Sequence, residues 1–72
     1  MSNPDTLQEF GHKVRRLRER LGLSQEELAA KTGFDRTYIS LIERGKRNLS
    51  LLNICRFAAA LETSPSALLQ GL

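Results

Sequence analysis

Arg36, Thr37, Tyr38 and Ser40 place a guanidinium and three hydroxyls within five consecutive positions. A guanidinium carries five N–H donors in a fixed fork, and a hydroxyl both donates and accepts. Such a set can contact DNA when it stands on the exposed front end of a helix. No other constellation competes with it. His12 is the single histidine and falls on a polar helix face with no partners for a metal site. The serines and threonines sit largely at cap positions, as Thr6, Ser24, Ser50 and Ser64 do, and there is no nucleophile elbow. Catalysis therefore has no supporting residues, and no cofactor or metal is expected.

The set needs an element to hold it. Ser24 with Glu27 three residues on is a capping box that starts a helix over about 25–32. Leu28 and Ala29 form its inner face. Gly33 ends it, since glycine enters the left-handed conformation at no steric cost. Asp35 caps a second helix over about 36–44, with Ile39 and Ile42 on its buried side. Two short helices about a tight glycine turn, with small Ala29 at the crossing, make a helix-turn-helix. Upstream, Thr6 and Glu9 read as a capping box. Leu7, Phe10, Val14, Leu17 and Leu21 then follow helical spacing to a stop at Gly22. Downstream, Gly45 ends the recognition segment and Lys46-Arg47-Asn48-Leu49 is an exposed basic loop. Ser50 caps a fourth helix whose inner face is Leu51, Ile54, Ala58 and Leu61, with Phe57 beside them. Ser64-Pro65 opens a short fifth helix carrying Ala67, Leu68 and Leu69. The fold class expected is all-α: a flexible tail over 1–5 and one five-helix domain over 6–72, the helix-turn-helix at about 25–44.

With 72 residues the chain has one domain at most, and a core this small is often supplemented by oligomerisation. The net charge is +3, from 11 Lys and Arg against 8 Asp and Glu. The distribution says more than the total. Lys13, Arg15, Arg16, Arg18 and Arg20 crowd the first helix, which reads mainly as a solvated face. Arg36, Arg44, Lys46 and Arg47 crowd the recognition helix and its exit loop. One cysteine, Cys55, excludes an intramolecular disulfide, and a small core or interface thiol is the expectation for it. No apolar run approaches the length of a membrane span, and the N-terminus has no signal-peptide pattern. The chain is expected in the cytoplasm, with its DNA. Leu51, Leu52, Ile54, Leu68 and Leu69 exceed what a short helical core needs. They are either internal core or partly a dimer seam, and Leu52 and Leu69 are the two assigned to the seam.

Gln25, Ala29, Gly33, Ile39, Ile42 and the phrase Ile42-Glu43-Arg44-Gly45 resemble the lambda repressor/Cro, or xenobiotic-response-element, family of helix-turn-helix proteins over about residues 10–70. The run Asp35-Arg36-Thr37-Tyr38-Ile39-Ser40, with Glu43-Arg44 and Arg47-Asn48-Leu49, is similar to controller proteins of restriction–modification systems. The resemblance implies five helices and a homodimer on a palindromic operator of double-stranded DNA. Recognition helices would lie in successive major grooves ~34 Å apart. It implies base contacts by Arg36 and Thr37, with Ser40 or Leu41 one turn later. Arg36 suits guanine O6 and N7, and Thr37 suits a hydrogen bond or a thymine methyl. Leu41 is apolar where some relatives have a long polar side chain, which confines it to van der Waals contact. Phosphate contact is implied for Gln25 at a helix N-terminus, where N–H groups and the dipole favour an anion. Tyr38, Arg47 and Asn48 resemble backbone-contacting positions, and Arg44 and Lys46 are read as phosphate contacts or loop charges. An ion pair of Arg18 with Glu43 is implied between helices one and three.

The expected function is that of an autoregulating DNA-binding regulator of a restriction–modification or similar cassette. RNA polymerase is a candidate partner, with Glu26 and Glu27 as its contact residues, and no small-molecule ligand is expected. The competing reading is an antitoxin-type or phage-type repressor working partly through a protein partner.

Overall fold

The chain folds into five helices with no strand among residues 4–72, the residues described by this computed structural model. They are α1 (Pro4–Arg20), α2 (Gln25–Thr32), α3 (Arg36–Glu43), α4 (Leu51–Ala60) and α5 (Pro65–Leu69). The all-α expectation therefore holds. Of the expected N-terminal tail, residues 1–3 lie outside the described residues, and Pro4 and Asp5 belong to the first turn of α1. Thr6 is thus inside the helix and is not its N-cap. The reason is Pro4, whose fixed φ and missing N–H suit the first helical position, so α1 starts earlier than the Thr6–Glu9 pattern suggests.

The other starts follow their caps. Ser24 Oγ accepts from the Glu27 N–H at 3.0 Å, and Glu27 Oε1 accepts from the Ser24 N–H at 2.8 Å, which completes the capping box. Ser50 Oγ accepts from the Asn53 N–H and Ser64 Oγ from the Ala67 N–H, both at 3.1 Å. Gly22, with φ +73°, closes α1. Leu21 consequently falls past the helix end and is exposed rather than part of its inner face.

Each helix sends its apolar residues to one core. Phe10 and Val14 come from α1, Leu28 and Ala29 from α2, and Ile39 and Ile42 from α3; Phe57 and Ala58 of α4, Leu61 and Leu68 complete it. Phe57 is fully buried and meets the Phe10 ring edge-on at 6.4 Å and the Phe34 ring at 5.3 Å. Leu51 departs from the expected inner face of α4 and is 69% exposed. The buried stripe centres on Ile54, Phe57 and Leu61, and Leu51 is rotated about 90° from that centre by helical geometry. At the other end, Lys13 Nζ donates to the carbonyls of Ala67 and Gln70, satisfying acceptors at the end of α5.

The crossing of α1 over α3 is unusually close. A Cβ on Gly11 would stand 2.6 Å from the Glu43 carbonyl oxygen, with the Ile42 carbonyl nearer still. Periodicity reading passes over Gly11 because a glycine contributes nothing to an apolar stripe.

Two predictions follow from these contacts. Helix propensity alone makes Gly→Ala in a helix interior stabilising by roughly 0.5–1 kcal/mol. Gly11→Ala should instead lower the unfolding free energy by about 1–3 kcal/mol in urea titration, because the added methyl meets backbone that cannot swing away. The sign alone decides the matter. The second concerns pH. Hydrogen bonds from the Ser24 backbone and hydroxyl regions hold the Glu27 carboxyl below its ordinary value of 4.5. A depressed folded pKa gives a contribution that is full above that ordinary value and is lost as pH falls through the lowered one. The stability gap between wild type and Glu27→Gln should therefore close on acidification, as measured by urea unfolding across that range.

Candidate nucleic-acid interface

The turn between α2 and α3 is built by Thr32 and Gly33. Thr32 is buried, and its hydroxyl lies 2.9 Å from the Leu28 carbonyl and 3.1 Å from that of Ala29 while accepting from the Phe34 N–H at 3.2 Å. Gly33 adopts φ +83° and donates its N–H to the Ala29 carbonyl at 2.8 Å. Asp35 occupies the N-cap position of α3, but its side chain makes no capping hydrogen bond, contrary to expectation. The orientation of α3 is fixed instead by Ile39 and Ile42, 0% and 1% exposed, which anchor one side of the helix in the core.

That anchoring leaves the front of α3 outside. Arg36 and Thr37 are exposed. Neither makes a side-chain hydrogen bond to protein among the described residues. One turn on, Ser40 and Leu41 are half-buried. Their carbonyls are taken up by the exit turn: Ser40 O accepts from the Arg44 N–H at 3.1 Å and Leu41 O from the Lys46 N–H at 2.9 Å. Arg44 Nε also leans back to the Ser40 carbonyl, at 3.4 Å. Arg36, Arg44, Lys46 and Arg47 are all exposed, and none is ion-paired among the described residues. The recognition helix and its exit loop thus form a positive surface with uncommitted donors.

Tyr38, Arg47 and Asn48, also expected at phosphates, have protein partners. Tyr38 is half-buried, meets the Phe34 ring edge-on at 4.8 Å, and its hydroxyl accepts from Asn53 Nδ2 at 3.1 Å. The phenol hydrogen is left to donate elsewhere. Arg47 lies over the Tyr38 ring with its guanidinium carbon 5.3 Å from the centroid, a cation–π arrangement that leaves the guanidinium edge available. Asn48 is exposed and accepts the Leu49 N–H at 3.0 Å through Oδ1. Asn53 had no place in the sequence reading, since nothing in local pattern marks a residue whose partner is fifteen positions away.

The Arg18–Glu43 pair is present and more connected than expected. Arg18 Nε donates to Glu43 Oε2 at 2.6 Å, and Nη2 to Oε1 at 3.0 Å. The third nitrogen, Nη1, donates to the Leu23 carbonyl at 2.8 Å. The side chains are 11% and 4% exposed. The hydrogen bond from Glu43 raises the Arg18 guanidinium further above its already high ordinary value, against the opposing effect of burial. Removing one partner would strand a charge in the interior at a cost of about 3–5 kcal/mol. Gln25, the first residue of α2, joins the pair by donating Nε2 to Glu43 Oε1 at 3.1 Å.

Elsewhere, Leu52 is 76% and Leu69 41% exposed, and Leu51 and Leu72 are exposed as well. An apolar cleft of ≈ 460 Å³ is lined by Leu7, Phe10, Ile54, Leu69 and Leu72 among others. Cys55 is exposed on the same helix as Leu52, so it is not a core thiol.

This arrangement has close counterparts. A helix-turn-helix family model matches residues 14–68. Control protein C.MunI of a Mycoplasma species is 50% identical over 60 residues, 82% of this chain and 81% of that protein. The crystal structure of the restriction-modification controller protein C.AhdI from Aeromonas hydrophila superposes with a TM-score of 0.84 at 47% identity, covering 92% of this chain and 98% of that one. The controller protein C.Esp1396I, solved as a tetramer on its natural 35-base-pair operator, matches with a TM-score of 0.80 at 36% identity, over 88% of this chain and 83% of that one. The family match spans most of the chain and includes every helix at least in part. The chain belongs to the lambda repressor/Cro-like helix-turn-helix family of DNA-binding transcriptional regulators, alongside the restriction–modification controllers.

Proposed function

We propose that this regulator binds a palindromic operator as a homodimer and controls a restriction–modification cassette, its own gene included. The observation that carries the reading is the exposed, unpartnered pair Arg36 and Thr37 at the front of a helix whose back is sealed in the core. A rigid element presenting free donors at its tip is the geometry that direct reading of a major groove needs. Arg36 and Thr37 read base edges, with Ser40 and Leu41 contributing one turn later. Gln25, Tyr38, Arg44, Lys46, Arg47 and Asn48 hold the sugar–phosphate backbone, setting affinity and register. Leu52 and Leu69 lie in the dimer seam, where burial of exposed leucine offsets the small size of the protomer core. The complex of C.Esp1396I with its operator supports DNA as the partner and assembly into multimers. RNA polymerase, meeting Glu26 and Glu27 beside the DNA, is the partner through which such a protein would activate. The place of action is the cytoplasm; among the described residues no helix is long and apolar enough to cross a membrane.

Selection of bound duplexes from a random DNA pool tests the reading directly: a two-fold symmetric consensus is expected, and recovery of no consensus would refute it. On the selected duplex, Arg36→Ala should lose ~1–3 kcal/mol of discrimination at one base pair per half-site. Arg47→Ala should weaken all sequences alike and reduce the slope of log affinity against log salt by about one. Leu52→Glu, at a site already exposed in the protomer, should leave the protomer folded and lower its melting transition, because the stabilisation by assembly is lost. It should halve the mass found by sedimentation equilibrium.

A further inference from the structure

We propose that Glu43 is a positioning residue for DNA: its carboxylate turns the Gln25 amide so that an N–H, rather than the carbonyl, is presented to a phosphate at the start of α2. This rests on the reading that Gln25 contacts a phosphate.

A glutamine amide has two opposite faces, one donating and one accepting. Left alone on a surface it samples both, and the carbonyl face repels a phosphate oxygen. Glu43 removes that freedom. An ionised carboxylate only accepts, so the group 3.1 Å from Glu43 Oε1 has to be Gln25 Nε2. An amide nitrogen carries two hydrogens roughly 120° apart, by trigonal geometry. One is spent on Glu43, and the second has no protein acceptor among the described residues. Gln25 itself is half-exposed at the first position of α2, where the helix dipole already favours an anion.

The carboxylate that sets this orientation is itself fixed. Arg18 grips both of its oxygens, and the remaining Arg18 nitrogen is tied to the Leu23 carbonyl, two residues before Gln25. Three helices therefore meet at one buried carboxylate: α1 through Arg18, α2 through Gln25, and α3 through Glu43 itself. The placement is costly on stability grounds alone. Glu43 is an anion at a helix C-terminus, where the macrodipole is unfavourable, and a buried ion pair is commonly no better than an apolar pair of the same volume. An orienting duty toward the anion-binding end of α2 gives the pair a reason that stability does not.

The test is a double-mutant cycle on a duplex recovered by selection from a random pool, read by fluorescence anisotropy below the melting transition of every variant. Gln25→Ala should weaken binding about tenfold, the order of one charge-assisted hydrogen bond. Glu43→Gln should weaken it to a similar degree in the wild-type background and leave it within about twofold in the Gln25→Ala background. An equal loss from Glu43→Gln in both backgrounds means that Glu43 acts only through the fold, and overturns the proposal. No loss from Gln25→Ala removes the phosphate contact itself, and the proposal with it. The wild-type protein gives a readout that no variant's folding can obscure. By NMR, DNA should shift the Gln25 side-chain amide hydrogen that does not face Glu43 more than the one that does. Two hydrogens that respond equally to DNA overturn the proposal as well.

Discussion

The constraint on which the rest depends is the hold of α1 on the far end of α3. Recognition by a helix tip requires the tip to be free and everything behind it to be immobile. Gly11 lets the two backbones approach to a distance no side chain would permit, and the Arg18 fork seizes the terminal residue of α3 at both carboxylate oxygens. Dispersion across the crossing and the ion pair act on neighbouring points of the same contact. Packing alone is tolerant of small rotations, whereas a bidentate guanidinium–carboxylate pair is directional. Together they fix the height and the rotation of α3, and with them the direction in which Arg36 and Thr37 project. Ile39 and Ile42, buried beneath, set which side of the helix faces in.

Much of this was legible in the chain, and the parts that were not share a cause. Ser24 with Glu27, Ser50, and Ser64 with Pro65 each announce a helix start within four residues, because capping is a local interaction between a side chain and its own backbone. Gly33 and Gly45 announce the ends for the same reason. The exposed front of α3 could be read as well, since the placement of Ile39 and Ile42 fixes which side faces in. Asp35 was misread because a capping residue type establishes where a helix can begin, not whether the carboxylate closes on it. Thr6 was misread because Pro4, two residues earlier, is a stronger start. Leu51 was assigned to the core because an i, i+3 relation to Ile54 looks periodic, though it lies on the rim of the buried stripe. Gly11, Asn53 and the bond from Gln25 to Glu43 left no local trace at all. Each depends on a residue brought near by tertiary packing, at a distance in sequence that no window of periodicity spans.

The distribution of exposed side chains divides the surface into two regions with different chemistry. One carries Arg36, Thr37, Arg44, Lys46 and Arg47, with no carboxylate paired to its cations among the described residues. The other carries Leu51 and Leu52 on α4, and Leu69 and Leu72 on the wall of an apolar cleft. Single exposed leucines are ordinary on small proteins, but several on adjoining elements are a different matter. In the proposed homodimer the second region is covered by its own copy and the first is left for DNA. Both requirements fall on a protomer whose core holds ten buried apolar residues among those described. The small core and the exposed leucines are thus two aspects of one economy, in which part of the burial needed for stability is deferred to assembly.

The two regions meet at Tyr38. Its ring packs against Phe34 and Phe57 at the edge of the core, its hydroxyl accepts from Asn53 on α4, and Arg47 of the exit loop lies over the ring. Asn53 immediately follows Leu52 in the first turn of α4, so one helical turn carries both a residue of the proposed seam and the partner of a residue on α3. A displacement of α4 on assembly would reach Tyr38 through a hydrogen bond rather than through compressible packing alone. Such a bond tolerates little change in length before it weakens. Glu43 fixes α3 at its end, through α1 and α2, and Asn53 fixes it near its start, from α4. The recognition helix is therefore held at both ends by polar contacts and along its length by apolar ones. That combination is what allows so short a helix, only two turns long, to present side chains in a constant direction.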